Sequence, residues 1–78
     1  MQRTPPSSLR QVLARNVKSR REYLNLSQER LAQEASFDRT YISQIERGVR
    51  NISLDNLYRL SLALAIEPWI LIKSPEEA

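Results

Sequence analysis

Apolar residues recur along this chain in pairs five positions apart, each pair straddling a residue able to cap a helix. The pairs are Leu26 and Leu31 around Ser27, Phe37 and Ile42 around Asp38, Ile52 and Leu57 around Ser53, and Ile66 and Leu71 around Glu67. An apolar residue just before an N-cap, packed on one four residues inside the helix, fixes the angle at which the chain enters that helix. Each pair therefore predicts a helix start. A further start is expected upstream, where Ser8 and Gln11 have the spacing of a capping box. The helices expected from these signals run from Leu9 to Leu24, Gln28 to Ala35, Arg39 to Arg47, Leu54 to about Leu64, and Pro68 to about Lys73. Leu9, Leu13, Val17 and Leu24 form the apolar stripe of the first, and Leu54, Leu57, Leu60 and Leu64 that of the fourth. Gly48 closes the third, because glycine takes the left-handed C-cap at no steric cost. Pro68 opens the last at the position proline favours. The prolines, at Pro5, Pro6, Pro68 and Pro75, leave everything between Ser8 and Glu67 free of helix breakers, and no strand alternation competes.

The expected fold class is thus all-α: one compact five-helix domain over residues 8–73, a flexible N-terminal arm at 1–7 and a flexible acidic tail at 74–78. A chain of 78 residues holds one domain with a modest core, so spare apolar surface would point to association.

Composition mainly excludes. Cysteine and histidine are both absent, which rules out disulfides and removes the soft metal ligands, so no metal site and no cofactor are expected. The carboxylates are scattered without a pairing that suggests acid–base work, so no enzyme is expected. The apolar runs Leu60–Ile66 and Trp69–Ile72 are far short of a bilayer span, and MQRTPPSSLR lacks the apolar core of an export signal, so the expected location is cytoplasmic. With 12 Lys and Arg against 9 Asp and Glu, the net charge of +3 is compatible with a polyanionic partner without demonstrating one. The distribution of charge has to decide.

The third helix divides cleanly at 100° per residue. Ile42 and Ile45 point inward; Arg39, Thr40, Ser43, Gln44 and Arg47 point outward with no acidic residue among them. Arginine can bond guanine bidentately and glutamine can do the same to adenine, while Thr40 and Ser43 are short enough to sit near bases or bond a phosphate. Asp38 is taken as the cap, and Glu46 falls toward the core. Taken alone, such a face is equally an ordinary solvated surface. Its surroundings favour a reading role. Only Ser36-Phe37-Asp38 separates the second and third helices, the tight connection of a helix-turn-helix over Ser27 to Arg47. Gln28 begins the second helix, where free N–H groups and the dipole favour a phosphate. Arg50 and Asn51, in the loop after the third helix, supply backbone clamps that set register without reading sequence.

The stretch from Leu26 to Ala35, followed by Asp38-Arg-Thr-Tyr-Ile-Ser-Gln-Ile-Glu-Arg-Gly48, resembles the lambda-repressor-like (Cro/C1, XRE-type) helix-turn-helix family. The run from Asp38 to Arg47 is similar to small restriction–modification controller proteins, and the resemblance extends over about Leu13 to Ile72. It implies that Gln28 bonds a phosphate and braces the reading helix, and that Arg39, Thr40 and Gln44 contact bases with Ser43 close by. It also implies that Arg47 and Asn51 lie near the DNA backbone, and that Arg21 and Glu46 form a structural ion pair linking the first and third helices. The chain departs from the family in carrying Asn25, Ser36 and Ala65 where glycine is usual. Asparagine tolerates a left-handed backbone; serine and alanine do so at a cost of roughly 1 kcal/mol each, so local adjustment is expected at Ser36 and Ala65.

The implied partner is double-stranded DNA, bound by a homodimer on a palindromic operator. Leu62 falls off the core stripe of the fourth helix, and Trp69 is outward on the fifth with Ile72 nearby, which nominates Leu62, Ala65, Trp69 and Ile72 as the dimer surface; a local core plug is the alternative for Trp69. No small-molecule effector is expected, since no residues remain for a ligand domain. An antitoxin that binds both DNA and a toxin protein is the rival function. Glu29 and Arg30, on the open side of the second helix, could meet RNA polymerase, although a solvated face accounts for them as well.

Overall fold

The computed structural model describes residues 8–74. The proposed arm at 1–7 and all but Ser74 of the proposed tail lie outside the described residues. The elements are α1 (Leu9–Tyr23), α2 (Gln28–Ala35), α3 (Arg39–Glu46), α4 (Leu54–Ala63) and α5 (Pro68–Leu71), with no strand among the described residues. Every boundary lies within about two residues of the sequence expectation, which is the usual uncertainty of a fraying helix end.

The core lies among α1, α2 and α3, with α4 packed on α2 and α5 closing against α1 and α4. Val17, Leu31, Ile42, Leu60, Leu64 and Leu71 are fully buried, and Ile45 nearly so. Both members of each apolar pair belong to it: Leu31, Ile42, Leu57 and Leu71 are buried, and Leu26, Phe37, Ile52 and Ile66 pack on them partly covered. Ser27 and Ser53 accept hydrogen bonds from Arg30 N and Asn56 N, both at 3.0 Å.

The first four helices end in one way. The residue after the C-cap turn is left-handed at Asn25, Ser36, Gly48 and Ala65, with φ of 59°, 60°, 74° and 54°. The next amide bonds back five residues: Leu26 to Arg21 O, Phe37 to Ala32 O, Val49 to Gln44 O and Ile66 to Ser61 O, at 2.8–3.1 Å. These are Schellman closures, and at three of them the following apolar residue, Leu26, Phe37 or Ile66, packs on the core, while Val49 stays exposed. Leu26, Phe37 and Ile66 also form the entry staple of the next helix, which explains the regular apolar spacing. At Gly48 an added Cβ would meet only ordinary contacts, the nearest Arg10 O at 3.7 Å, so backbone conformation rather than crowding calls for glycine there. The other left-handed positions lack glycine, and at each an arginine, local at Asn25 and distant in sequence at Ser36 and Ala65, bonds a carbonyl of the turn. Arg21 Nη1 donates to Leu26 O at 2.8 Å, and Arg20 donates to Leu64 O and Ala65 O at 2.9 and 3.1 Å. Arg59 Nη2 donates to Ala35 O and Ser36 O at 3.0 and 2.7 Å. Strained backbone persists where surrounding bonds over-determine it.

Several sequence expectations are corrected. Leu9 is 62% exposed and Leu54 81% exposed, so neither belongs to a core stripe; the inner face of α1 is Val12, Leu13, Ala14 and Val17. Residues in the first turn of a helix extend beyond the layer that packs on it. Ser8 accepts from Arg10 N at 3.2 Å instead of closing a box with Gln11. Asp38 occupies the N-cap of α3 through its carbonyl, its carboxylate making no capping bond. Asn16 Nδ2 was not anticipated: it donates to Ile70 O, Leu71 O and Lys73 O at 3.3, 2.9 and 2.9 Å, tying the short α5 to α1.

Candidate nucleic-acid interface

α3 is anchored by Ile42 and Ile45, 0% and 1% exposed, and its opposite side carries the polar set. Arg39, Thr40 and Arg47 are exposed; Ser43 and Gln44 are partly covered. Gln28 is partly covered at the start of α2, while Arg50 and Asn51 are exposed in the following loop. An open groove lined by Arg21, Ser27, Gln28, Arg30 and Arg39, with Gln33 and the acidic Glu29, runs from the N-terminus of α2 to the start of α3. The α2 terminus supplies free amides at one flank of the α3 face, and the arginine-bearing loop lies at the other.

Beneath that face lies a brace. Arg21 Nε and Nη2 donate to Glu46 Oε2 and Oε1 at 2.6 and 2.9 Å, a bidentate pair whose side chains are only 12% and 5% exposed. Gln28 Nε2 donates to the same Glu46 at 3.1 Å. α1, α2 and α3 are thereby locked through a single carboxylate. The hydrogen bonds and charge of Glu46 hold the Arg21 guanidinium above its ordinary pKa, outweighing the opposing effect of burial. The arginine stays charged throughout the range in which such a fold operates.

The polar face of α3 has a second layer that the sequence did not signal. Arg50 Nη1 donates to Gln44 Oε1 at 3.3 Å while its guanidinium lies 4.9 Å from the centre of the Tyr41 ring. The Tyr41 hydroxyl accepts from Asn56 Nδ2 at 3.0 Å, and its ring packs on Phe37 at 4.7 Å. Arg50, which the sequence placed as a backbone clamp, thus also rests on Gln44. Tyr41, Asn56 and Arg59 were missed because their partners lie 15 to 24 residues away in the chain, beyond any local pattern.

α4 shows Leu54, Tyr58 and Leu62, 81%, 56% and 62% exposed, at successive four-residue steps. Ala65 and Trp69 are exposed nearby in sequence; Trp69, at 58%, is no core plug, and Lys73 Nζ lies 5.6 Å over its ring. Ile72 shares a shallow apolar groove with Leu9, Leu54 and Leu57. Among the described residues no cluster of metal-ligating side chains occurs, and no helix is long and apolar enough to cross a membrane.

Five short helices, with the third held face-outward after a tight left-handed turn, define a lambda-repressor-like helix-turn-helix domain. The chain belongs to the helix-turn-helix family of the Cro/C1 (XRE) type, whose family model matches residues 17–68. It is 56% identical over 48 residues to the control protein C.BamHI of Bacillus amyloliquefaciens, covering 62% of this chain and 59% of that protein. Among solved structures, the hypothetical transcription factor NHTF from Neisseria superposes with a TM-score of 0.88 at 37% identity, covering 99% of this chain and 90% of that one. The restriction–modification controller protein C.AhdI from Aeromonas hydrophila gives 0.77 at 40% identity over 80% and 94% of the two chains. The chain spans about three fifths of the length of the first curated relatives, 59% and 65%.

Proposed function

We propose that this protein is a sequence-specific DNA-binding transcriptional regulator that acts as a homodimer on a palindromic operator, in the manner of a restriction–modification controller. The observation that carries the reading is the α3 face: polar side chains free of carboxylates, raised on two buried isoleucines and flanked by a helix N-terminus and an arginine-bearing loop. Arg39, Thr40, Ser43 and Gln44 contact base edges; Gln28, Arg47, Arg50 and Asn51 contact the backbone. Arg21 and Glu46 hold the two helices at the angle that places these groups. Similarity to control proteins of restriction–modification systems supports the regulatory role.

The dimer surface comprises Leu62, Ala65, Trp69 and Ile72, extended along α4 by Tyr58 and Leu54. A pseudo-palindromic site with half-sites roughly 10 bp apart follows from that symmetry. The unit of function is the domain over residues 8–73, acting in the cytoplasm, where the DNA is, without catalysis and without a small-molecule effector. Glu29 and Arg30, on the open side of α2, are a surface for RNA polymerase only if they are more than a solvated face, the alternative that the exposed Arg30–Glu34 pair favours.

Selection of bound sites from random DNA, followed by footprinting and sedimentation, tests the proposal. A two-fold-symmetric site occupied by two chains is expected. An unenriched pool, or a chain that remains monomeric on its site, overturns it. Tight capture of a toxin protein by the α4 face in place of self-association gives the antitoxin role instead.

A further inference from the structure

We infer that Arg59, on α4 and outside the DNA-facing set, is the positioning residue of the reading helix. Its guanidinium touches the helix-turn-helix connection at three groups, the Ala35 and Ser36 carbonyls and the Phe37 ring. Nη2 donates to Ala35 O and Ser36 O at 3.0 and 2.7 Å, which satisfies the last carbonyls of α2 where the helix leaves them orphaned. The same group lies 4.2 Å from the centre of the Phe37 ring. Nη1 donates to Asn56 Oδ1 at 3.3 Å, and Asn56 passes the contact on to the Tyr41 hydroxyl of α3.

The connection needs this support because Ser36 sits at φ 60°, a left-handed conformation that serine adopts at a cost and glycine does not. A turn of this length sets the direction of α3 relative to α2. Relaxation at Ser36 would tilt α3 and displace Arg39, the first residue of that helix, by far more than the local change. The tolerance for such displacement is small, since bidentate base contacts require atoms placed within about 0.5 Å of the productive geometry. Contacts to the phosphates, by contrast, tolerate it. Arg59 thus acts on sequence discrimination through the backbone of the turn, and not by touching DNA.

This inference rests on the DNA-reading role proposed above, and the test separates the two. Arg59→Met keeps the length of the side chain and removes its donors; Ser36→Gly removes the strain that the donors hold. Operator and random-sequence DNA are titrated with wild type, both single variants and the double variant across a salt series. Arg59→Met is expected to lose about tenfold more affinity for operator than for random DNA, with an unchanged salt slope. Ser36→Gly is expected to discriminate as wild type does, and in the Arg59→Met background to restore most of the discrimination. Should Arg59→Met alone fail to fold, recovery of fold and discrimination in the double variant carries the same meaning. Equal loss on both DNAs, a salt slope reduced by about one as for a lost phosphate contact, or no recovery in the double variant overturns the inference. Urea denaturation of the same four proteins reports the Arg59–Ser36 coupling without DNA: non-additive midpoints are expected, and additive ones overturn the clamp. If the wild type fails to distinguish operator from random DNA, the DNA-reading role falls while the denaturation cycle still judges the clamp.

Discussion

The outward faces of α3 and α4 are built on the same plan and finished with opposite chemistry. Each helix is short, each is anchored by fully buried aliphatics (Ile42 on α3, Leu60 on α4), and each presents its other side to solvent. On α3 that side is Arg39, Thr40, Ser43, Gln44 and Arg47; on α4 it is Leu54, Tyr58 and Leu62. A polar face meets water at no cost, so nothing about folding requires it to be free of carboxylates, and that bias suits a polyanion. An apolar face in water does carry a cost, and a stripe of this kind suits a surface that is covered in the working assembly. The difference teaches that two helices buried by the same kind of anchor carry outward faces of opposite chemistry, one suited to a polyanion and the other to an apolar partner surface.

The comparison can be broken most forcefully from beneath. Glu46→Ala should leave the largely buried Arg21 without its bidentate partner, and Gln28 without its acceptor. A loss of about 3 kcal/mol in unfolding free energy is expected, larger than the net worth of the pair, because an uncompensated charge remains. Denaturation within 0.5 kcal/mol of wild type would show that α3 does not depend on this brace. The raised pKa of Arg21 gives the sign of its linkage to pH: the stability contributed by protonated Arg21 is fully present below its unfolded value and is lost only as pH rises through the higher folded value. No loss from Arg21 deprotonation is expected near neutrality.

Next in size is the face itself. Arg39→Ala should cost about 2 kcal/mol on operator DNA and relax preference at one base pair, read by competition binding against single-base variants. Equal weakening on random DNA would make Arg39 a backbone contact. Leu62→Glu on α4 should raise the dimer dissociation constant by about tenfold, with helical content unchanged by circular dichroism; sedimentation identical to wild type would remove Leu62 from the interface. Arg50→Ala should weaken all sequences alike and reduce the salt slope by about one. Because Arg50 also rests on Gln44, an added loss of base preference would show that it steadies the reading side chain. The smallest effect is expected at Ala65→Gly. Relief of a left-handed alanine gains roughly 1 kcal/mol and the added freedom of the unfolded chain takes back about half of that, so thermal unfolding should rise by only a few degrees.

The amino-acid sequence by itself determined the helices and the faces. Caps, staples and left-handed closures are made within six residues of one another, so their signals are local. Every helix start is legible in them, whereas the left-handed positions Asn25, Ser36 and Ala65 are marked only by the family resemblance, and Ser36 and Ala65 keep that backbone where local adjustment was expected. The division of α3 into an isoleucine side and a polar side is equally local, following from the helical repeat. Errors arose where position in the assembly mattered: Leu9 and Leu54 continue an apolar stripe by angle, yet project past the layer that would bury them. Asp38 has a capping residue's chemistry but spends only its carbonyl on the helix. Tertiary structure alone decided what holds the turns and what the polar side chains of α3 rest on. Arg20 reaches Leu64 and Ala65 across 44 and 45 positions, Arg59 reaches Ser36 across 23, and Asn16 reaches Leu71 across 55. A long donor side chain looks the same in sequence whether it is solvated or clamped on a carbonyl, since only the packing of distant helices brings the acceptor within 3 Å.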